Sequence, residues 1–488
     1  MIEVLAARRA RGRLTLAALW AIVGGGLPAI ASLGVGISTI DLAYQVRAGR
    51  IMLATGDLVA HDPFAFTTAG RPWLNQQWGA QILFAWVYGA GSWLGLALLR
   101  AALLAGTFRL LYDVFRRRGL SDRGAAALCV AVFVVGAPGL GLRPQTFGLL
   151  LFALVLWLLD RRARAVRGLL LVPPLIAVWA NLHGSFPLGL VLLGLALLED
   201  LRARADTRRW ALWSLVAGTL ATFVNPFGPD VWRYAIGLPS NPQITGSILE
   251  WQPPTLRSGP GVIIFASFFL VAWLLARRGR LLPGSALIQL ALFAGLALIA
   301  IRGMVWWALG ASPVVASLLR HGPGDAEDEE AAARPEPPGS MLNTGIAVAL
   351  AALAVVLALQ WRGRPPLGGL LWHAPVGLTR ALEGHVPPGT RLFNAQIWGS
   401  WLEFAAPEYP VAVDARIELF PPEVWRRYYD ASTGHEGWEE ILDDWDVGAV
   451  VAEREQQARL IPLLRRDPTW RLVYQDEEGA LFVRAEGP

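Results

Sequence analysis

The chain has 488 residues, 54% of them apolar and only 17% charged, with a positive mean hydropathy; this excludes an ordinary water-soluble domain and marks a polytopic membrane protein. Its basic residues are all arginine and its net charge is only +5, carried in short loops between apolar segments, so the charge reads as an orientation signal and not as nucleic-acid binding. The single cysteine, Cys129, lies in an apolar run and excludes both an internal disulfide and a cysteine-based metal site.

The N-terminal MIEVLAARRARGR resembles a signal-peptide leader, but the apolar run behind it is as long as a spanning helix needs and no small-residue cleavage site follows, so it is expected to stay as a first helix. Apolar runs fall near 14–37, 93–114, 124–142, 145–159, 168–182, 184–199, 210–225, 261–276, 282–301, 303–319 and 343–361, about eleven potential spans with some short enough to be re-entrant. Arginine-rich loops at 8–13, 116–123, 160–167, 201–209 and 277–280 are each separated by two such runs. All five therefore fall on one side, the cytoplasmic one, with the N-terminus. Residues 321–342 read as an acidic, proline-rich cytoplasmic linker. The expected organisation is a membrane domain over 1–320 with its first outer loop at 38–92, the linker, a last span at 343–361, and an extracytoplasmic α/β domain over 362–488. In that domain RLFNA, PVAVDAR, DVGAVVAE, WRLVYQD and ALFVR read as strands, and 397–405, 421–430, 436–445 and 455–466 as helices.

The same scheme puts Asp41, His61, Asp62, Arg143, His183, Asn225, Glu250 and Arg302 on the outer face, where a shared polar site is favoured. Asp41 suits a general base or the cap of the helix that DLAYQVRAGRIMLA would form. The His61-Asp62-Pro63 turn could orient an acceptor or, with Asp41, hold a divalent cation such as magnesium or manganese; a turn-initiating Asp before Pro is the plainer alternative. Arg143 and Arg302 close spans, where a guanidinium snorkels, pairs or binds an anion, and phosphate matches its forked donors. His183, in WANLHGSF, either joins them or satisfies carbonyls at a helix break. Glu250-Trp251 offers a carboxylate and an aromatic face, as sugar binding would need or as an interfacial loop would carry anyway.

The stretch from Asp41 to Trp78, together with GLRPQTFGLLLFALVLWLL, WANLHGSF, NPFGPDVW, ILEWQPP, FNAQIWGSWLEF and VDARIELF, resembles the GT-C glycosyltransferases, multi-span enzymes that use polyprenyl-phosphate-linked sugars. The resemblance implies an essential acid in the first outer loop, mapping to Asp41, inversion at the anomeric carbon, and Arg143, His183 and Arg302 as phosphate ligands. His61, Asp62, Gln77, Trp78, Glu250 and Trp251 would then contact sugar or acceptor, and the acceptor would be a glycan, lipid or protein. Two departures stand out: related loops often carry Trp-His after the first Asp and Glu before the later Trp, where this chain has Tyr44-Gln45 and Gln77-Trp78. Gln does no proton chemistry, which leaves Asp41 as the principal acid. The rival readings are a lipid-linked saccharide transporter, which would want a polar path at mid-membrane depth, and a family scaffold without activity.

Overall fold

A computed structural model describes residues 13–279, 282–320, 339–363 and 369–485. The first arginine-rich loop and the acidic linker fall mostly outside the described residues. In chain order the elements are α1 (Leu16–Leu33), β1 (Ile37–Ser38), α2 (Thr39–Thr55), α3 (Trp78–Arg117), α4 (Asp122–Gly136), α5 (Pro144–Asp160), α6 (Val172–Leu182), α7 (Pro187–Arg202), α8 (Arg208–Ala221), α9 (Asp230–Gly237), α10 (Pro242–Ser247), α11 (Gly259–Arg278), α12 (Gly284–Ile299), α13 (Met304–Leu319) and α14 (Met341–Leu359). They continue with β2 (Leu371–Trp372), α15 (Val376–His385), β3 (Arg391–Asn394), α16 (Gln396–Ala405), α17 (Pro422–Ser432), α18 (Trp438–Asp444), β4 (Val447–Glu453), α19 (Leu460–Arg466), β5 (Trp470–Gln475) and β6 (Gly479–Arg484). Every apolar run singled out in the sequence is helical. Six of the helical stretches are long and apolar enough to cross a membrane, and 144–160, 166–182 and 284–299 are shorter apolar helices.

The chain divides into two compact units. The first comprises Met1–Val35, Ala97–Ala235 and Thr245–Trp361. At its centre, every residue from Gly303 to Ala316 is buried, whereas α14 has no buried residue. Its residues are all exposed or half-buried, and so much open apolar surface persists only against lipid. Cys129 is fully buried in α4, its thiol facing the Phe108 carbonyl at 3.7 Å. Arg100, an arginine within an apolar segment, is buried; its Nη2 donates to the carbonyls of Ser32 and Val35 at the end of α1, and the Trp361 indole beneath it donates to Leu33 O at 2.8 Å. The carbonyls that α1 leaves without helical partners are thereby satisfied.

The second unit comprises Gly36–Leu96, Ile236–Ile244 and Arg362–Pro488, so the first polar loop and the C-terminal segment, which the sequence suggested as separate parts, fold as one body. Its sheet has the order β3-β4-β6-β5, with β3 parallel to β4 and the other pairs antiparallel. β1 and β2 add a two-residue parallel pair, Ile37 with Leu371 and Ser38 with Trp372. The expected PVAVDAR strand does not form: Val411 alone makes bridges, to Ala65 and Leu392. Beyond it the Asn394 side chain takes the neighbouring strand's role, accepting from Ala412 N at 2.9 Å and donating to Val413 O at 2.9 Å. The helix expected over 455–466 begins only at Leu460, because the Glu453 carboxylate accepts the amides of Glu455 and Gln456 and holds them in turns. α15, unforeseen in the sequence, covers the sheet with Leu378 and Leu382 buried. α2 lies against the start of α3 so closely that a Cβ on Gly49 would meet Gln81 O at 2.0 Å. Gly399 in α16 likewise passes within 2.2 Å, by the same measure, of Val413 O.

Candidate functional site

Two clusters of polar side chains stand out, one in each unit. In the second unit, Ser38 is the N-cap of α2 and Asp41 sits in its first turn, where a carboxylate meets the positive end of the helix dipole. The capping role foreseen for Asp41 thus belongs to Ser38 by position. Asp41 is half-buried and lies in the electrostatic field of Glu418, whose carboxyl burial holds above its ordinary range, with the charges of Asp414 and Asp41 adding to the effect and Arg416 opposing it. The residues where the chain departs from the GT-C pattern meet each other: Gln45 Nε2 donates to Gln77 Oε1 and to Tyr44 Oη, both at 2.7 Å. Trp78 begins α3, half-buried beside Gln77. Below them, Asn75 and Gln81 exchange two amide hydrogen bonds of 2.7 and 2.6 Å in full burial.

Ala60–Asp62 and Arg71–Trp73 form a small hairpin that leaves His61 exposed and turns Asp62 inward. Asp62 accepts from Phe64 N at 3.0 Å and Thr68 Oγ1 at 2.5 Å, and Arg416 Nη2 lies 2.7 Å from its Oδ1. Its carboxylate, which the sequence offered to acceptor or cation, is committed to this buried pair, and the turn-forming alternative describes it. Arg416 also grips Asp414 through Nε and Nη2 and approaches Glu403 at 3.8 Å, all with side chains essentially sealed from solvent. Phe64, Trp73 and Tyr44 surround the guanidinium with ring centroids 4.9, 4.7 and 5.7 Å away, so the cation is held by aromatic faces as well as by acids. Burial raises the Asp62 carboxyl although Arg416 opposes it. For Asp414 burial is outweighed by the Arg416 charge and hydrogen bonds, and it stays low. Burial and the Asp414 charge push Glu403 well above its usual value, favouring its acid form.

This arrangement fixes a pH dependence. A carboxyl whose folded-state value is raised supports the fold fully below its unfolded value near 4.5 and loses that support as pH rises through the folded value. Glu403→Gln, a neutral shape mimic, is therefore expected to unfold at higher denaturant concentration than the parent at mildly alkaline pH. The difference should shrink as pH falls toward the ordinary glutamate range. Chemical unfolding followed by tryptophan fluorescence across that window is the check, and a parent-to-variant difference independent of pH would contradict it.

In the first unit, Arg143 is the N-cap residue of α5 and forms a two-point fork to Glu250, Nη1 to Oε2 at 2.5 Å and Nη2 to Oε1 at 2.8 Å. Glu250 and Trp251 lie on one 3-10 turn. Arg302, on the turn before α13, places its guanidinium 4.8 Å over the Trp251 ring and its Nη2 3.4 Å from Gln145 Oε1. Ile301 N donates to Gln252 O at 3.0 Å, tying the two turns together. Burial acts to raise the Glu250 carboxyl, but the Arg143 hydrogen bonds and the charges of Arg143 and Arg302 outweigh it and hold it low. His183 follows α6; burial, aided by the Arg302 charge, drives it down to about 3. Its Nδ1 accepts Ser185 N–H at 3.1 Å and lies 2.8 Å from Ser185 Oγ, so the neutral ring carries its proton on Nε2. Arg143, His183, Glu250, Trp251 and Arg302 are thus gathered into one cluster from distant parts of the sequence. Asn225 instead closes its own turn, donating to Thr222 O and accepting from Phe227 N.

Sequence reasoning missed Arg416, Asp414, Glu403 and Glu418. The stretches FNAQIWGSWLEF and VDARIELF contain them, and the signal was charge inside otherwise apolar, buried runs. Among the described residues no group of three or more His, Cys, Asp or Glu side chains is placed to hold a metal ion.

No family model matches the chain, and no curated protein matches it in sequence. Solved structures that share its fold include ArnT from Cupriavidus metallidurans bound to undecaprenyl phosphate, at a TM-score of 0.52 and 16% identity over 96% of this chain and 98% of that one, and the same protein in the apo state, at 0.51 and 15% over 95% and 97%. The chain is a multi-pass membrane protein with the GT-C type of fold. At this identity the likeness to ArnT is one of architecture over nearly the whole length of both chains.

Proposed function

We propose that the protein is an integral membrane glycosyltransferase that moves a sugar from a polyprenyl-phosphate donor to an acceptor hydroxyl outside the cytoplasm, with inversion. The observation that carries this is the end-to-end fold shared with a protein crystallised with undecaprenyl phosphate. In this reading the N-terminus is cytoplasmic and the C-terminal segment extracytoplasmic. The Arg143–Arg302 cluster binds the donor phosphate: two guanidiniums gathered at the Glu250-Trp251 turn present forked donors to its oxygens, and the neutral His183 contributes its Nε2–H. Asp41 takes the acceptor proton as the acceptor oxygen bonds to the anomeric carbon and the phosphate departs with the electron pair of the broken C–O bond. Preorganised cations at the leaving phosphate supply much of the rate. His61, Gln77, Trp78 and Trp251 are the groups assigned to sugar and acceptor.

The test is sugar transfer from a panel of radiolabelled polyprenyl-phosphate donors by the purified protein in lipid, with cell-envelope extract as acceptor source. Arg302→Gln is expected to lower kcat/KM by roughly a hundredfold, in the range for loss of one preorganised charge-stabilising donor. Tight donor binding without turnover, extract included, would favour the transporter or inactive-scaffold reading; absence of donor binding would remove the proposal.

A further inference from the structure

The first unit holds a second feature that sugar transfer does not use. The C-terminal ends of α3, α5, α7, α11 and α13, with the start of α12, enclose a cavity of about 430 Å³, within the range of small-ligand sites. Its floor is apolar and buried, including Leu156, Leu159, Leu195 and Val314. Its rim is cationic: Arg117, Arg118, Arg162 and Arg278 come from loops read above as orientation signals, and Arg320 joins them from the end of α13.

The charges at the rim do not cancel. Arg118 Nε meets Asp160 at 3.0 Å, and Arg162 Nη2 meets both Glu199 and Asp200 at 2.8 Å. Those acids are therefore answered. Arg278 Nη1 donates to backbone carbonyls, Leu318 O at 3.1 Å and Arg320 O at 2.9 Å, and its other nitrogens have no acceptor among the described residues. The Arg320 guanidinium has no acceptor among the described residues. One nitrogen of Arg278 suffices to cap the end of α13; capping explains neither the rest of Arg278 nor Arg320. An apolar floor under two surplus guanidiniums has the polarity of an anionic amphiphile, and guanidinium forks fit phosphate oxygens.

We infer that this cavity binds the phosphate headgroup of an anionic membrane phospholipid, with the beginning of its acyl chains on the leucine floor. Basic pockets between membrane helices take such headgroups. The site shares no residue with the Arg143–Arg302 cluster.

The experiment uses the purified full-length protein in phosphatidylcholine vesicles doped with phosphatidylglycerol, and reads retained phosphatidylglycerol by native mass spectrometry. The double variant Arg278→Gln/Arg320→Gln is expected to weaken retention on the order of tenfold or more, given the contribution of each arginine near an anionic lipid. Ala286→Trp, which fills the cavity beside the floor and changes no charge, is expected to weaken it as well. Arg233→Gln, on an exposed side chain elsewhere in the unit, should leave it unchanged. Retention untouched by the double variant or by Ala286→Trp would overturn the inference. So would an equal loss in Arg233→Gln, or displacement of the lipid by inorganic phosphate alone, which would make the cavity a small-anion site.

Discussion

Asp41→Asn is expected to abolish sugar transfer, by roughly 10²–10⁴-fold in kcat, the contribution of a positioned general base, while donor binding persists. The amide is the same size, and Asp41 is only half-buried in the first turn of α2. The fold should therefore lose no more than the helix-dipole contribution, about 0.3–1 kcal/mol. The neighbouring Glu418 sharpens the test. Its carboxyl is held high by burial, with Asp41 among the charges acting on it, so Asn at 41 should ease Glu418 back toward ordinary carboxylate behaviour. Glu418→Gln is the control: it should leave transfer activity in place, as expected of a neighbouring carboxyl that takes no proton from the acceptor. Single-turnover assays at matched donor occupancy decide the matter, and an Asp41→Asn protein with normal turnover would take the base away from this position.

Arg416→Met is expected to destabilise the second unit by about 3–5 kcal/mol, the range for leaving buried charges without their partner. Asp62 and Asp414 would both lose their cation in side-chain environments with no exposure to solvent. The aromatic faces of Phe64 and Trp73 would lose it as well. Adding Asp62→Asn should recover part of the loss, because one of the stranded acids is then neutral. A double-mutant cycle by chemical denaturation measures that coupling. Equal and additive losses would show that Arg416 contributes packing alone. Because the pair joins the hairpin at 60–73 to the segment after Val411, the loss should appear as one cooperative step for the whole unit.

The helical membrane part was legible because span length and apolarity are local: a run of greasy residues has few alternatives to a helix in lipid. The polar cluster of Arg143, His183, Glu250, Trp251 and Arg302 was half legible, since Arg143, His183 and Arg302 lie at the ends of apolar runs, but the fork between Arg143 and Glu250 joins residues 107 positions apart and leaves no periodic trace. The second unit was less readable. PVAVDAR alternates like a strand, yet the side chains of Asn394 and Asp414 take over its backbone hydrogen bonding, and no propensity rule anticipates a side chain substituting for a ladder. The membership of residues 36–96 in the same body as the C-terminal segment was likewise hidden, because it rests on contacts between distant parts of the chain, such as Phe66 N with Val411 O at 3.0 Å and Asp62 with Arg416 at 2.7 Å, which leave no local pattern in the sequence.

Sealed inside α4 and without exposure, Cys129 is out of reach of aqueous thiol reagents, and no lysine is present anywhere in the chain. The protein is therefore chemically silent toward maleimides, and its side chains offer no amine to acylating labels. A cysteine introduced at exposed Arg233 or Arg454 becomes the sole target of a membrane-impermeant maleimide in intact cells. The sidedness of each loop can then be mapped one position at a time, with no native cysteine to remove first.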